Sequence, residues 1–486
     1  MPVEKRYFKK YAERHVIGNS NNYYELFEAI DKRKLASDKQ VLPVVQGKNY
    51  AKYYPVAKKQ LFDSILDALY DYESYSDIRE DVKSALYKAG LLIRRGFYRE
   101  CKALLKNYRK KINEYELLEQ QLALIDIECQ LISKNFYNSV TQPDLDQIHE
   151  EKQTVLMKMD RENEFWLLFS KIYKIHFTEV RSRKEEDEME LRRLFNSPLL
   201  KDVSQSFTFK SRLDYYQLKA LENFLKRDAI QAAHYNALFI EAFDDHPQMM
   251  ELYQERYLST YNNYLIDTYL LGDFDKLRAG IDHLNSLPDR KEFRKVKGLK
   301  TQIFRLSEQL RLNLGIREKN FISNCRQIPD IASMLEKLSG EIAEQNQVTF
   351  FYLFAYSYFG DEDYEKSMHW TNKIIDETSE SSLAEIQISA RLLNLISHYE
   401  LGNEELLEYA INNVRRYHLR RERLFRFERV VLSALNKIIG SLKDQRIKIL
   451  KKLKADLQTL KRNPHEGKIM ENFDWEWWID KKLSQL

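Results

Sequence analysis

Apolar residues along this chain recur at helical spacing, in stripes that come two by two with a short polar break between them. In the clearest pair the break falls at Gly402 and Asn403, and both stripes follow the i, i+3, i+4, i+7 order of one helix face. The residues of this pair are Leu392, Leu395, Ile396, Tyr399, Leu407, Ala410, Ile411 and Val414. The pattern predicts a hairpin of two antiparallel helices.

Similar breaks follow one another at intervals of 39 to 47 residues, apart from one double interval. They predict turns near residues 97, 136, 228, 273, 316, 363 and 403, and the charged run at 181–186 predicts a further turn inside the double interval. The turn near 316 is placed at Gly315 and Ile316. Prolines are expected between hairpins because proline ends a helix. They are Pro143, Pro198, Pro247, Pro288 and Pro329.

Glycine and proline, which end helices, are scarce, and this indicates that the whole chain is mostly helical. Only 13 Gly and 9 Pro occur in 486 residues, too few for the turns that a sheet protein needs. A chain of this length is also too long for one compact core, so it divides into domains or grows as a stack. We therefore predict an all-α protein built from stacked helix hairpins.

The turn residues resemble the centre of a tetratricopeptide repeat. Tyr358, Asp363, Tyr364 and Ser367 occupy the places where that motif has an aromatic residue, a turn acid, a second aromatic residue and a small residue. The units here are longer than the ~34 residues of that repeat, so the resemblance is to an irregular, tetratricopeptide-like array.

Three other segments, at 22–30, 59–70 and 396–403, resemble a family of long bacterial tetratricopeptide-like proteins of unassigned role. Together the two resemblances imply a right-handed superhelical solenoid of antiparallel hairpins, and they carry over no catalytic residue.

Three regions follow from these patterns. Residues 1–50 are predicted to form an N-terminal helical cap, with a helix from Asn22 to Lys32 and then a loop that contains Pro43. Residues 51–440 form the predicted repeat array. Residues 441–486 are predicted to form a basic helix and then a Trp-rich capping helix, because the terminal units of a solenoid differ from the internal ones.

Charge and cysteine content favour a cytoplasmic protein. The 78 basic and 74 acidic residues nearly balance, which is typical of helix faces that carry both signs in water. Cys101, Cys129 and Cys325 are odd in number and far apart, which argues against a disulfide framework. The N-terminal sequence lacks a secretory signal, and no apolar run approaches the ~18 residues of a membrane span. We expect no membrane partner.

Catalytic and cofactor motifs are missing from the sequence. It contains no GxGxxG or GxxxxGK[ST] loop, no HExxH, no His/Cys set with metal-ligand spacing and no GxSxG nucleophile motif. We therefore expect no enzyme activity, no cofactor and no metal, although an active site assembled from distant residues stays open as an alternative.

A basic segment, Arg415 to Arg462, stands out from the balanced background. It holds 16 Lys or Arg against 4 Asp or Glu. Arginines with interleaved aromatic rings suit phosphate contacts and base stacking. A solvated or interface helix face balanced by acidic stretches elsewhere is the alternative. The candidate binding residues of this segment are Arg415, Arg416, Tyr417, Arg420, Arg421 and Arg423.

A tryptophan cluster, Trp475, Trp477 and Trp478, lies close to the C-terminus. Helical spacing places Trp475 and Trp478 on one face with Ile479, whereas Trp477 points elsewhere. Two interpretations are open: a helix that caps the last hairpin, or a peptide that docks on a partner, since Trp is enriched in binding hot spots.

Three function hypotheses remain. The leading one is a non-enzymatic protein–protein interaction scaffold that binds a protein or peptide along a concave helical surface. The second is a regulatory solenoid that binds nucleic acid or an acidic partner through the basic segment. The third is an enzyme, which a closed cavity with converging acids or histidines would favour.

Overall fold

The chain is almost entirely helical. A computed structural model describes residues 2–14, 22–35, 37–48, 50–74, 77–138, 140–182, 185–294, 296–377, 384–420, 425–462 and 464–486. These residues contain no strand, so the predicted all-α class is confirmed. None of the described helices is both long enough and apolar enough to cross a bilayer. The chain divides into two compact units, Met1–Arg161 and Glu162–Leu486.

The first unit opens with helices that pack around α4, which contacts both α1 and α2. The helices of this unit are α1 (Pro2–Arg14), α2 (Asn22–Arg33), α3 (Asp38–Val45), α4 (Tyr54–Ser74), α5 (Ile78–Arg94), α6 (Tyr98–Glu114), α7 (Leu118–Lys134) and the first part of α8 (Gln142–Ser182). Further along, α5, α6 and α7 pack on one another.

The predicted N-terminal region is partly wrong. The helix expected from Asn22 is present as α2, but the expected loop around Pro43 contains the short helix α3. Val41 and Val45 are buried one helical turn apart on α3. Their burial outweighs the hydrogen bond that Pro43 cannot donate.

The second unit is a succession of helices, most of which pack on the next one along the chain. Beyond α8 they are α9 (Glu185–Phe195), α10 (Phe209–Leu225), α11 (Ala229–Asp245), α12 (Met250–Leu271), α13 (Phe274–Ser286), α14 (Leu299–Arg317), α15 (Phe321–Lys337), α16 (Glu344–Gly360), α17 (Tyr364–Glu377), α18 (Ala384–Glu400), α19 (Glu404–Arg420), α20 (Arg426–Ile438), α21 (Lys443–Lys461), α22 (Pro464–Met470) and α23 (Trp475–Gln485). Alternate helices also touch, with α16 contacting both α14 and α18.

Most predicted turns join the helices as expected. Gly96, Gly272 and Gly402 take positive φ between two helices, a conformation that costs glycine no steric clash. Pro198, Pro247 and Pro288 lie in short 3-10 turns between helices. The predicted basic helix and Trp-rich helix are present as α21 and α23.

The turn predicted at Gly315 and Ile316 is wrong, because both residues lie inside α14 and the chain turns at 318–320. Gly315 serves close packing instead: a Cβ there would lie 2.1 Å from Asn324 Oδ1. The Asn324 side chain donates hydrogen bonds to the Leu312 carbonyl (2.9 Å) and to Ser357 Oγ (3.1 Å). The glycine therefore marks a helix–helix contact.

Pro329 also departs from its predicted place, since it lies inside α15 and not between hairpins. The residue is exposed. Water can therefore bind the carbonyl that loses its helical partner, which makes the proline tolerable there.

Helix α16 is apolar around its whole circumference. Every residue from Phe350 to Phe359 is buried. A helix with this pattern needs cover on all sides, which its helical neighbours α14, α15, α17 and α18 supply only in part. The remaining cover comes from the C-terminal segment.

Candidate functional site

The C-terminal segment, residues 464–486, turns back onto helices more than 60 residues earlier in the chain. Its rings interlock edge to face, with centroids 5.0 Å apart for Phe473 and Trp475 and 6.0 Å apart for Trp475 and Trp478. Asp474 caps α23 by accepting a hydrogen bond from the Trp477 N–H at 3.0 Å. The cap fixes the start of α23, so that its first turn presents two tryptophans to the core.

Hydrogen bonds attach this segment to α16 and α18. Tyr352 donates its hydroxyl to the Asn472 carbonyl, and the Asp474 N–H donates to the Tyr356 hydroxyl, each at 2.9 Å. The Asn472 side chain donates to Ser389 Oγ at 3.0 Å. Two consecutive turns of α16 thus bind main-chain groups of the segment, which makes the attachment specific in register.

Glu400, at the end of α18, is the buried anion of this interface. The Trp478 indole N–H donates to one of its carboxylate oxygens at 2.7 Å, and Lys482 forms an ion pair with the other. The Glu400 side chain is only 2% exposed, so both contacts are shielded from water. Sequence reasoning gave Glu400 no role, because nothing in its local pattern marks it.

Charged residues surround the buried rings. Lys319 pairs with Asp474 at 2.7 Å and Lys481 with Glu362 at 2.8 Å. Trp477 is half-buried, and the Lys319 and Lys481 ammonium groups lie 4.6 and 5.3 Å from its rings. This rim protects the interface but contributes less than the rings, because its ion pairs are partly exposed.

The three predicted tryptophans therefore differ in position. Trp475 and Trp478 are 4% and 1% exposed and contact this chain, as does Ile479 on the same face. The segment reaches well beyond the last hairpin, since it contacts α16 and α18 as well as α21. Binding of a partner by these rings stays a prediction, and it would require the segment to leave this interface.

The predicted residues of the basic segment that the structure describes lie in two different environments. Arg415 and Arg416 are exposed on α19, whereas the Tyr417 ring stacks under the Arg391 guanidinium at 3.8 Å. The Arg420 side chain, Arg421 and Arg423 lie outside the described residues. The stacking partner Arg391 lies on α18 and was not predicted.

Part of the basic charge of α21 is neutralised inside the protein. Arg446 pairs with Glu404 at 2.8 Å, and Lys454 pairs with Asp480 at 2.6 Å. Lys448, Lys451 and Lys452 are exposed, and no ion pair of theirs occurs in the part of the chain that the structure describes. These lysines leave one side of α21 with net positive charge.

A groove of about 580 Å³ opens between α15, α16 and α17. On its floor Phe351 and Trp370 stack with ring centroids 5.4 Å apart, and the Lys373 ammonium lies 4.8 Å from the Phe351 ring. Glu336 and Glu344 stand on its walls. The groove combines an aromatic floor with charges of both signs, which suits a peptide side chain flanked by polar groups.

The titratable side chains of the described residues include two cysteines whose thiols are perturbed by burial. The described residues contain no group of three or more His, Cys, Asp or Glu placed to hold a metal ion. Burial raises the pKa of the Cys101 thiol, and burial with the nearby Asp361 carboxylate raises the pKa of Cys325 to about 12. Both thiols are therefore protonated and weakly nucleophilic near neutral pH.

The chain matches no protein-family model, no curated protein and no solved structure. The tetratricopeptide-like resemblance consequently has its support in the residues and in the all-helical fold. Its repeat period and its superhelical form stay predictions.

Proposed function

We propose that this chain is a cytoplasmic, non-enzymatic protein–protein interaction scaffold built as a tetratricopeptide-like array of helix hairpins. Two observations support the architecture: consecutive helices pack in succession, and α16 also touches the alternate helices α14 and α18. The three cysteines are free, in keeping with a reducing compartment. The partner in this proposal is a protein or peptide.

The observation that carries the proposal is the open groove between α15 and α17. Its volume of about 580 Å³ is sufficient for one or two large side chains of a bound peptide. Trp370 is only partly buried, so its ring is available to a ligand. A tryptophan ring that stays partly accessible in a groove is a frequent source of binding energy in protein interfaces.

Site-specific photo-crosslinking tests this function in the cells that make the protein. A photoreactive amino acid at Ser333, in the groove, is expected to capture a protein, whereas the same group at exposed Thr459 on α21 is not. Changing Trp370→Ala should abolish the adduct at Ser333. The proposal is contradicted if no protein adduct forms at Ser333. It is also contradicted if the adduct forms equally well in the Trp370→Ala variant.

A second candidate, binding of nucleic acid or another polyanion, rests on the exposed basic residues. Arg415, Arg416, Lys448, Lys451 and Lys452 are exposed on α19 and α21. If these residues neutralise phosphates, affinity falls steeply with salt because counterions are released on binding.

Titration of fluorescent DNA and RNA oligonucleotides at two salt concentrations tests this candidate. The pair Arg415→Glu and Arg416→Glu should weaken binding and flatten its salt dependence. Lys102→Glu and Lys106→Glu on α6 serve as a charge-matched control, since both lysines are exposed in the first unit. Undetectable binding, or equal loss in both variants, rejects the candidate.

A further inference from the structure

Helix α4 carries apolar side chains on two opposite faces, and only one face is covered. The covered face holds Tyr54, Ala57, Leu61 and Ala68. The opposite face leaves large side chains in water, and these are Val56 (55% exposed), Phe62 (60%), Leu66 (48%) and Tyr70 (61%).

The exposed residues form a continuous stripe, because Phe62, Leu66 and Tyr70 follow one another at four-residue spacing on successive helical turns. Side chains of this size expose on the order of 400 Å² of apolar surface together. A patch of that extent on a water-soluble unit marks an interaction site, since scattered apolar residues do not line up in this way.

Charge along the same face divides at the middle of the helix. Lys59 precedes Leu61, whereas Asp63 and Asp67 follow it, and all three charged residues are exposed. The neighbouring Lys58 is bound to Asp38 at 2.8 Å. For Lys59 and Asp63, by contrast, no ion pair is found within the described residues.

Two pairs of these residues are symmetric about position 61. Val56 and Leu66 are equidistant from that position, and so are Lys59 and Asp63. If a second α4 helix lies antiparallel across a two-fold axis at this level, Val56 of one copy faces Leu66 of the other, and Lys59 faces Asp63. Phe62 lies one residue from this level, so the two Phe62 side chains lie close to each other at one edge of the contact.

We propose that this face of α4 pairs antiparallel with the same face of a second copy of the chain, as an isologous homodimer contact. In this arrangement the Val56–Leu66 contact and the Lys59–Asp63 charge pair each form twice, whereas a parallel two-fold pairing would place Lys59 against Lys59. Counting both copies, the contact buries on the order of 1,000 Å², the lower limit for a specific interface. Reversible association in the micromolar range is therefore expected.

Sedimentation equilibrium of the full chain from 1 to 200 µM, at low salt, measures the association. The wild type should form a dimer. Lys59→Asp places like charges opposite each other and should weaken the dimer by about tenfold or more, and Asp63→Lys should do the same. Mixing these two variants should produce a heterodimer, and combining both changes in one chain should restore the homodimer.

Phe62→Ser should also weaken the dimer at least tenfold, whereas Tyr87→Ser, which changes an equally exposed ring on α5, should leave it unchanged. Circular dichroism confirms that both variants fold, as expected for exposed positions. A wild type that stays monomeric up to 200 µM overturns the inference. A dimer whose dissociation constant is unchanged by both charge reversals and by Phe62→Ser overturns the inference as well.

Discussion

Helices α4 and α16 have the same unusual pattern and different surroundings. An amphipathic helix has one apolar face, whereas both of these helices carry apolar residues on more than one face. In α16 every residue from Phe350 to Phe359 is buried, and the C-terminal segment supplies part of the cover. In α4 the second face is open, and Phe62 and Tyr70 are each about 60% exposed.

The comparison shows that a helix with a second apolar face needs a packing partner on that face. The pattern of the helix alone does not show which part of which chain the partner is. For α16 the cover lies more than 110 residues later in the same chain. For α4 we infer that a second copy supplies it. If the two faces differ as strongly in energy as they do in burial, loss of the cover of α16 destabilises the protein far more than changes on the open face of α4.

Removal of the C-terminal segment, residues 464–486, should have the largest effect. It exposes α16 and removes the burial of Phe473, Trp475, Trp478 and Ile479, each contributing ~1.5–3 kcal/mol. The loss exceeds ~5 kcal/mol, which is comparable with the whole stability of many domains. Guanidinium unfolding followed by near-ultraviolet circular dichroism measures it.

The matched change on α4 is Val56→Ser with Leu66→Ser, measured at a concentration where the chain is monomeric. Its unfolding free energy should change by less than ~1 kcal/mol, because both side chains are already in water. A truncated chain as stable as this variant would show that the C-terminal segment is only loosely attached.

Trp478→Ala should destabilise the second unit by ~3–5 kcal/mol, since the ring is 1% exposed and its indole N–H binds Glu400. The half-buried neighbour gives the control: Trp477→Ala should cost less than ~2 kcal/mol. Thermal unfolding of both variants measures the difference. Equal effects would argue against Trp478 as the anchor of the segment.

Tyr356→Phe should cost ~1 kcal/mol, because the Asp474 N–H loses its hydrogen-bond acceptor on α16. Hydrogen exchange should locate the effect, with faster exchange at Asp474 and at neighbouring amides of the segment. Tyr87→Phe on α5, where the hydroxyl faces water, should change neither stability nor exchange. An unchanged Asp474 amide in Tyr356→Phe would contradict the described attachment.

The smallest predicted effect is on pH dependence. Burial raises the pKa of Asp474, but the Lys319 ammonium and the Trp477 N–H outweigh it, so the net pKa lies below the ordinary value. A lowered carboxyl pKa stabilises the fold above the unfolded pKa of ~3.9, and this stabilisation is lost as pH falls through the folded pKa. The pair is partly exposed, so the contribution stays below ~1 kcal/mol.

Asp474→Asn isolates this charge, because asparagine retains the N-cap of α23. At pH 7 the variant should be slightly less stable than the wild type, and the difference should shrink as the pH falls below ~3.9 and through the lowered pKa of Asp474. Urea unfolding across that range measures both chains. A difference that does not shrink as the pH falls would assign the effect to geometry and not to charge.

Much of the helical framework follows from the local pattern. The positions of α2, α21 and α23 and the glycine turns at 96, 272 and 402 agree with the spacing of apolar and breaker residues. The errors arise where a long-range contact overrides a local signal. Gly315 resembles a turn residue, yet it lies inside α14. A glycine is required there because a Cβ atom would collide with the Asn324 side chain.

The sequence by itself determines the helical class, most turns and the shared face of Trp475 and Trp478, because helix periodicity is a local property. Only the tertiary structure decides what covers that face: the contact of Trp478 with Glu400 joins residues 78 apart, and no local pattern encodes such a pair. It also decides that the second face of α16 is covered and that of α4 is open. Apolar residues occupy a second face in both helices, so the difference in burial comes from which parts of the chain fold against each.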